Sequence, residues 1–357
     1  MENIINIKPY SLNKIEKSSL LNFHLTKLTK HHYDNCKEYS NILKSIGFNV
    51  NSNFIYSDIP FLPVRLFKTH KLSSVKDEHI IKTMTSSGTS GQKVSQIYLN
   101  KYTSINQTKV LSKIVSSFLG KSRMPMIILD SESILKDRNL FSARGAGILG
   151  FSMFGTDKIY ALDENMELKV DLIIDFIKKY ENERIFLFGF TFMIWIHFYE
   201  QILKKGIKID LKNGVLIHGG GWKKLLNQSI SSKEFKMKLK NLCGISHVYD
   251  YYGMVEQTGS IYMECEYENL HTSIFSDIII RKSDDFSIAK VGEKGIIQTL
   301  SLLPESYPGH SLLTDDEGIL LGEDTCQCGR MGKYFRINGR LKNAEIRGCS
   351  DTYEGNI

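Results

Sequence analysis

Short apolar runs rich in β-branched and aromatic residues alternate with helix-like segments through the middle of this chain, and this alternation constrains the fold more than any other feature. Two of the helix-like segments are 166–180 and 231–242. Strands separated by helices predict an α/β fold, with a mixed or parallel sheet flanked by helices. The strand-like runs are 126–130, 185–188, 214–218, 247–251, 277–281 and 295–299.

The two ends of the chain differ from this middle part. Residues 1–50 carry Leu and Ile at helical spacing, which predicts helices, and Pro60 and Pro63 interrupt the pattern because proline removes a backbone donor. After about residue 260, short strand-like runs and turns dominate, which indicates an added β-rich portion. We therefore expect three parts in the chain. They are an N-terminal helical segment at 1–70, a core at 71–338 that includes the β-rich portion, and a short C-terminal tail at 339–357.

Composition and charge exclude several classes of protein. Hydrophobic residues make up 42% of the 357 residues and charged residues 24%, which is typical of a globular protein. The net charge of +7 is spread along the chain. In the densest basic stretch, 233–240, apolar residues alternate with the lysines, as on a helix with one solvated face, so we expect no nucleic-acid partner. Residues 1–21 do not resemble a signal peptide. The longest apolar stretch, 185–199, is shorter than the ~20 residues of a membrane span, so it predicts a buried strand and helix in a cytoplasmic protein.

A loop rich in Ser, Thr and Gly occupies 85–93, where seven of nine residues are of these types. Glycines allow the backbone to approach a ligand closely, and hydroxyls, backbone N–H groups and a lysine together can bind phosphate. The spacing is not that of a Walker motif, and a flexible polar loop is the alternative. The candidate phosphate-contacting residues are Thr85, Ser86, Ser87, Gly88, Thr89, Ser90, Gly91 and Lys93.

A second glycine pattern, at 145–150, matches the G-x-G-x-x-G of dinucleotide-binding proteins. That fingerprint must directly follow a strand, whereas the polar stretch 131–144 separates this one from the nearest strand-like run. We therefore reject a Rossmann site and expect a closely packed glycine turn.

Two further motifs follow strand-like runs. Gly219, Gly220 and Gly221 end the run 214–218 and leave room for a flat ligand at the carboxyl edge of a sheet, where open α/β sheets bind ligands. Tyr252 follows the next run, and its ring could cover a base, while the Glu256 carboxylate could hold Mg²⁺.

Taken in order, these motifs resemble those of the adenylate-forming superfamily. The segment 85–93 resembles its phosphate loop, 219–221 its adenine-binding loop and Tyr252-Gly-Met-Val-Glu256 its Tyr-Gly-x-Thr-Glu motif. Leu313-Thr-Asp-Asp316 resembles its ribose motif, and Gly339-Arg340 resembles the start of its hinge. Within this superfamily the chain is most similar to LuxE-type acyl-protein synthetases. That similarity rests on the stretches 59–68, 217–224, 250–257 and 339–351.

This resemblance implies an acid–thiol ligase with the N-terminal domain of an adenylate-forming enzyme. ATP would activate a fatty carboxylic acid as acyl-adenylate, and the acyl group would pass to a cysteine of the protein and then to an acyl reductase. One alternative is a ligase that transfers the acyl group to coenzyme A or a carrier protein, as phenylacetate–CoA ligases do. The other is an inactive, zinc-stabilised partner of a reductase.

The resemblance also assigns roles to single residues. Mg²⁺ on Glu256, together with Arg340, Lys93 and the 85–93 loop, would screen the negative charges of carboxylate and phosphate. Asp316 would accept hydrogen bonds from the ribose. The chain has Asp315 where the family motif has glycine, so the choice between Asp315 and Asp316 stays open, and Val255 replaces the usual threonine of the Tyr-Gly-x-Thr-Glu motif.

The C-terminal end departs from the superfamily pattern, because only seventeen residues follow Arg340. The mobile C-terminal domain with its catalytic lysine is therefore expected to be absent, as in LuxE-type proteins. Cys349 lies where that family has its acyl-accepting cysteine, and the neighbouring Arg347 would favour the thiolate. The alternative is an incidental thiol on a frayed tail.

The other five cysteines divide into two groups, because a cytoplasmic chain uses cysteines as ligands, reactive thiols or packing residues more often than in disulfides. Cys265, His271, Cys326 and Cys328 could form a Cys3His zinc site, and phenylacetate–CoA ligase relatives have a similar pattern. The alternative is three ordinary cysteines and a solvent-exposed histidine. Cys36 and Cys243 lie in helix-like contexts and are interpreted as buried packing residues.

Overall fold

A computed structural model describes residues 3–86, 93–135, 143–222 and 229–341. Tertiary contacts divide these residues into two compact units. The first unit contains the described residues of 3–118 and 253–341, and the second contains those of 119–252. The described residues of the first unit thus come from two ranges far apart in sequence, whereas those of the second come from the single range 119–252.

The strands of both units, in chain order, are β1 (Leu62–Pro63), β2 (Lys82–Thr85), β3 (Gln96–Leu99), β4 (Met124–Ser131), β5 (Gly155–Leu162), β6 (Ile185–Phe190), β7 (Gly214–Gly219), β8 (His247–Tyr252), β9 (Tyr262–Glu264), β10 (Leu270–His271), β11 (Ser276–Arg281), β12 (Lys294–Ser301), β13 (Ser311–Glu323) and β14 (Lys333–Arg340). The helices are α1 (Lys14–Asn35), α2 (Lys37–Ser45), α3 (Lys101–Leu119), α4 (Ala143–Ser152), α5 (Val170–Lys179), α6 (Thr191–Met193), α7 (Gln201–Lys205) and α8 (Ser232–Cys243).

The first unit combines helices with an antiparallel sheet in the order β11-β12-β13-β14-β10-β9. β1 pairs in parallel with β13, and β2 and β3 form a separate hairpin. α1 begins at a capping box, in which the Asn13 side chain accepts from the Glu16 N–H and the Glu16 carboxylate accepts from the Asn13 N–H. The predicted N-terminal helices and the β-rich portion after residue 260 are both confirmed.

The second unit contains a parallel sheet in the order β5-β4-β6-β7-β8. Every residue of β4, β6 and β7 is buried, as expected for parallel strands covered on both faces. The predicted α/β alternation is therefore confirmed, and α5 and α8 coincide with the predicted helices to within a few residues. The stretch 185–199 is a buried strand followed by a helix, in which Ile194–Glu200 adopt π-helical geometry. None of the helices in the described ranges is both long and apolar enough to span a bilayer.

The glycine pattern at 145–150 lies inside α4, and β4 ends at Ser131, so in the described residues these glycines do not form the strand-to-helix turn of a Rossmann site. The expected glycine turn is wrong, because these residues are helical. A β-carbon on Gly147 would lie 3.0 Å from the Phe190 ring, so this glycine allows close approach of helix and strand. Close packing was the right expectation, but the element that packs is a helix.

A buried ion cluster joins distant parts of the first unit. The Asp277 carboxylate on β11 pairs with the Lys17 ammonium on α1 at 3.2 Å and with the Lys333 ammonium on β14 at 2.7 Å. Lys17 also donates to the Thr272 hydroxyl at 2.6 Å, and Lys333 donates to the Ile278 carbonyl at 2.9 Å. Burial alone would raise the pKa of the Asp277 carboxyl, but the two ammonium groups outweigh it and hold this pKa below its ordinary value.

Two stacked histidines are buried elsewhere in the first unit. The rings of His32 and His310 lie 4.8 Å apart between centroids. His32 Nε2 contacts the Pro304 carbonyl at 3.0 Å and therefore carries the proton, while Nδ1 lies 2.7 Å from the Ser74 hydroxyl. Burial lowers the pKa of both imidazoles, that of His310 to about 3, so both rings are neutral near pH 7.

Candidate functional site

The hairpin of β2 and β3 supports the two ends of the predicted phosphate loop. Thr85 pairs with Gln96 across the hairpin. The Ser86 N–H donates to the Ser95 carbonyl at 3.2 Å, and the Ser95 N–H donates to the Ser86 hydroxyl at 2.9 Å. Lys93, at the other end of the predicted loop, is exposed. The predicted phosphate-contacting residues Ser87, Gly88, Thr89, Ser90 and Gly91 lie outside the described residues.

Glu256 lies against this hairpin in a short 3-10 turn, Val255–Gln257. The side chain is buried, with 5% of its surface exposed, and the Tyr307 hydroxyl donates to the Glu256 carbonyl at 2.8 Å. The Thr258 hydroxyl lies 3.9 Å from the Met84 sulfur on β2, one residue before Thr85. The turn is thus fixed next to the strand that leads into the loop.

The electrostatic surroundings of Glu256 suit a cation ligand. Burial raises the pKa of its carboxyl, and the nearby Ser95 side chain only partly offsets this shift. Asp315 raises the pKa further, while Arg340 lowers it. A carboxylate that is buried beside another carboxylate is more stable when a cation is bound, so the site fits Mg²⁺.

The two aspartates of the predicted ribose motif are held by different arginines. Asp316 pairs with Arg340 across β13 and β14, with 3.4 Å between Oδ1 and Nε. Asp315 pairs with Arg65, with 3.0 Å between Oδ1 and Nε. Because both carboxylates have an arginine partner, these contacts do not decide which of the two would receive a ribose.

In the second unit, the glycine turn and the tyrosine motif meet at the carboxyl edge of the parallel sheet. Gly219 on β7 is the register partner of Tyr251 on β8, and Tyr252 ends β8. A β-carbon on Gly219 would lie 2.6 Å from the Tyr251 ring, so this position requires glycine. Gly220 and Gly221 follow with φ values of 86° and 64°, a region that favours glycine. The predicted adenine-binding residues Gly219, Gly220, Gly221 and Tyr252 are therefore neighbours.

His218 and Thr191 lie at the same edge, and sequence analysis gave Thr191 no role. The His218 Nδ1 contacts the Thr191 hydroxyl at 2.9 Å, and that hydroxyl donates to the Gly219 carbonyl at 3.1 Å. His218 Nδ1 therefore carries the proton, and burial lowers the pKa of the ring to about 3. The position of Thr191 directly after a buried strand was the signal that could have identified it.

The four predicted metal ligands come together in the first unit. Each residue contributes one potential ligand atom, and these four atoms all lie within 4.8 Å of one another. They are the sulfurs of Cys265, Cys326 and Cys328 and a ring nitrogen of His271. The Cys265 and Cys326 sulfurs are 3.9 Å apart, and the Cys328 sulfur is 3.3 Å from His271 Nε2. Tetrahedral zinc with Zn–S near 2.3 Å and Zn–N near 2.0 Å requires ligand separations of about 3.5–3.8 Å.

The surroundings of this cluster also fit a metal. His271 is fully buried, so the alternative of a solvent-exposed histidine is wrong. The Asn269 side-chain amide donates to the Cys326 sulfur at 3.5 Å, and the Asn269 backbone carbonyl accepts from the Cys265 N–H at 2.9 Å. Burial lowers the pKa of His271 to about 4, which leaves the neutral ring that a metal needs. The donor set is that of structural zinc sites.

Of the remaining predicted residues, Cys349 lies outside the described part of the chain. Cys36 and Cys243 are buried, with 1% and 3% exposure, as predicted for packing residues. Burial raises the pKa of both thiols, that of Cys243 to about 12, so neither is a reactive nucleophile at neutral pH.

Comparison with known sequences places these features in a family. The model of the LuxE acyl-protein synthetase family matches residues 1–357. A long-chain-fatty-acid–luciferin-component ligase of Aliivibrio fischeri is 25% identical over 305 residues, which cover 81% of this chain and 76% of that protein. The ligase of the same description from Vibrio harveyi is 23% identical over 337 residues, which cover 90% and 84%.

Comparison with solved structures concerns the fold. An open conformation of 2-hydroxyisobutyryl-CoA ligase, in complex with 2-HIB-AMP and CoA, matches with a TM-score of 0.71 at 14% identity, over 94% of this chain and 77% of that one. A long-chain-fatty-acid–CoA ligase from Archaeoglobus fulgidus matches with a TM-score of 0.51 at 13% identity, over 74% and 52%. The predicted fold, that of an adenylate-forming enzyme, is confirmed.

Proposed function

The chain belongs to the LuxE acyl-protein synthetase family and is an enzyme of the ligase class. We propose that it activates a fatty carboxylic acid with ATP and then transfers the acyl group to its own Cys349. The observation that carries the proposal is the buried Glu256, fixed beside the hairpin that leads into the 85–93 loop. A family match over the whole chain supports the same reaction.

In the first step, a carboxylate oxygen of the acid attacks the α-phosphorus of ATP. The bond from that phosphorus to the bridging oxygen breaks, and pyrophosphate leaves with the electron pair. Mg²⁺ on Glu256 would supply positive charge to these phosphates, and Lys93 and Arg340 would add to it. Asp316 or Asp315 would accept hydrogen bonds from the ribose.

The adenine-binding role is proposed for the second unit. Gly219 to Gly221 leave no side chain over the carboxyl ends of β7 and β8, and Tyr252 would cover a flat base there. The hydrogen bonds from His218 to Thr191 and from Thr191 to the Gly219 carbonyl hold the first of these glycines in place. A glycine turn that is fixed in this way can accept a base without rearranging.

In the second step, the Cys349 thiolate attacks the acyl carbonyl, the bond to the phosphate oxygen breaks, and AMP leaves. We assign Cys349 to the tail segment 339–357, with Arg347 favouring the thiolate. The acyl group would then pass to a partner, for which we propose an acyl reductase, and a carrier protein is the other acceptor to test. Contact with the partner would raise the effective concentration of the reacting groups.

We also propose that Cys265, His271, Cys326 and Cys328 hold one structural zinc ion. These ligands come from two segments about sixty residues apart, so the metal would tie the start of the antiparallel sheet to the turn before β14. A structural zinc contributes to folding and takes no part in the reaction.

The decisive experiment separates the two steps. Cys349→Ser should still catalyse acid-dependent exchange of pyrophosphate into ATP, but should accumulate no hydroxylamine-labile acyl-enzyme from a radiolabelled acid. Cys36→Ser is the matched control, because that cysteine is buried and its substitution should leave the label unchanged.

The same assay is run across acids of different chain length, with coenzyme A as an alternative acceptor. Wild-type labelling of Cys349→Ser would overturn the acceptor assignment, and efficient formation of acyl-CoA would favour the coenzyme A ligase alternative. Absence of exchange with every acid would overturn the proposed function itself.

A further inference from the structure

A basic cavity of about 420 Å³ lies beside the hairpin that carries the candidate phosphate loop. This volume falls within the roughly 300–1,000 Å³ that is typical of ligand pockets. Its polar lining includes Lys68, His70, Lys71, Lys93, Gln96 and Tyr98. Three lysines line one concave site, and their summed positive potential attracts an anion.

The walls of this cavity are firmly positioned. Phe67 is buried in the core of the first unit, and the His70 N–H donates to the Leu66 carbonyl at 2.9 Å. Tyr98, which also lines the cavity, belongs to β3, and its carbonyl accepts from the Ser306 hydroxyl at 2.8 Å. These contacts fix the backbone of the segments from which the lysine side chains extend.

The charge of one lysine is shared with a carboxylate. The Lys71 ammonium contacts both Asp77 oxygens at 2.7 Å and lies 5.6 Å from the centre of the Tyr98 ring. Asp77 is exposed, so an incoming anion would compete with it for Lys71. Because Asp77 can take Lys71 back, an anion bound in this cavity would be released readily, as a reaction product must be.

Lys93 connects the cavity with the proposed chemistry. It is the last residue of the 85–93 motif and also lines the cavity. Resting on the proposed function, we propose that this cavity binds the inorganic pyrophosphate released by adenylation, as a site distinct from the loop itself. Pyrophosphate carries several negative charges, and lysines are suited to phosphate oxygens as point charges. Lys68 and Lys71 are the residues that would make this site separate from the loop.

The test measures direct binding of inorganic pyrophosphate by calorimetry, without ATP or acid. Lys68→Ala and Lys71→Ala should each raise the Kd for pyrophosphate about tenfold, since each removes one charge close to the ligand. Asp77→Asn should lower this Kd, because it releases Lys71 from its competitor. Lys76→Ala is the matched control, as this lysine is exposed, lies five residues from Lys71 and is not part of the lining.

Two further measurements distinguish pyrophosphate from inorganic phosphate and ATP as the ligand of the cavity. Inorganic phosphate should bind more weakly than pyrophosphate, and ATP binding should respond little to Lys68→Ala. In the exchange reaction, Lys68→Ala should raise the KM for pyrophosphate and leave the KM for ATP unchanged, with an unchanged Tm to show that the variant is folded.

Several results would overturn the assignment. They are no binding of pyrophosphate to the wild type at millimolar concentration, equal affinity in the lysine variants, or equal affinity for phosphate and pyrophosphate. These results are independent of the proposed function, because the binding experiment requires neither the acid nor Cys349. Normal exchange with unchanged pyrophosphate dependence in Lys68→Ala would retain the function and reject this site.

Discussion

The two units of the molecule bury their polar groups in different ways. In the second unit, the buried Asp130 and Arg144 pair within a continuous stretch and are 14 residues apart in sequence. In the first unit, Lys17 and Asp277 pair although 260 residues separate them. The parallel sheet is held mainly by apolar strands close in sequence, whereas the antiparallel sheet is closed by ions and candidate metal ligands from distant segments. Polar substitutions should therefore affect the first unit more strongly.

The largest expected effect concerns the candidate zinc site of the first unit. Structural zinc has apparent binding free energies of about 10–16 kcal/mol in small zinc-finger peptides, so removal of one ligand should be strongly destabilising. Cys328→Ala should lose the metal and lower the Tm by several degrees, and a chelator should do the same to the wild type. Cys36→Ala is the control, because it removes a buried cysteine and should retain one zinc per chain. Purified, untagged wild-type protein without zinc would contradict the proposal.

The buried ion pairs allow a direct comparison of the two units. Removing one partner of a buried pair costs about 3–5 kcal/mol, because a charge is left without its counter-ion. Asp277→Asn leaves two buried ammonium groups, whereas Asp130→Asn leaves one guanidinium. We expect Asp277→Asn to lower the urea midpoint more than Asp130→Asn, while the exposed Asp284→Asn should change it little. A larger effect of Asp130→Asn would refute the contrast drawn here.

Glu256→Gln should affect chemistry without affecting the fold. Loss of one charged group from a preorganised site reduces rates on the order of 100-fold, so acid-dependent exchange should fall by that factor. The Tm should not decrease, because burial already disfavours the charged form of Glu256 and glutamine has the same shape. Glu78→Gln, at an exposed position, serves as the control. Unchanged exchange at limiting Mg²⁺ would remove the proposed metal-binding role.

The effect that is smallest at neutral pH is a pH dependence of stability from buried neutral histidines. Burial, and then the nearby His31, lowers the folded-state pKa of His310 to about 3 from an ordinary value of 6.5. Below pH 6.5 the unfolded chain takes up a proton that the folded chain does not, so stability is present above pH 6.5 and declines as the pH falls. The contribution is about 1.4 kcal/mol per pH unit between about 6.5 and 3.

His310→Gln should therefore flatten the decline of the free energy of unfolding between pH 6.5 and 4.5. His218→Gln tests the same effect in the second unit, because burial also lowers the pKa of His218 to about 3. Urea titrations at several pH values measure both slopes. A wild-type slope in His310→Gln would show that this ring is not held neutral in the folded protein.

Sequence patterns predicted β4, β6, β7 and β8 of the parallel sheet and the glycine turn after β7, but they missed the edge strand β5. An apolar run of five residues predicts a buried strand because every side chain of such a strand contacts the core, and this is a local property. The predicted glycine turn at 145–150 failed because glycine permits both a turn and close helix packing, and only the neighbouring Phe190 decides between them. The metal ligands could be named from their residue types, but the spacing alone did not bring Cys265 next to Cys326.

The amino-acid sequence by itself determined the class of fold, the order of the motifs and the residue types available for phosphate, base and metal. It did so because strand periodicity, glycine freedom and ligand chemistry are properties of short segments. The tertiary structure alone decided that Asp277 lies between Lys17 and Lys333, that Arg65 and Arg340 hold different aspartates, and that Lys68 and Lys71 share a cavity with Lys93. These contacts depend on how distant segments pack, and the electrostatic energy that favours them exists only once water has been excluded from between them.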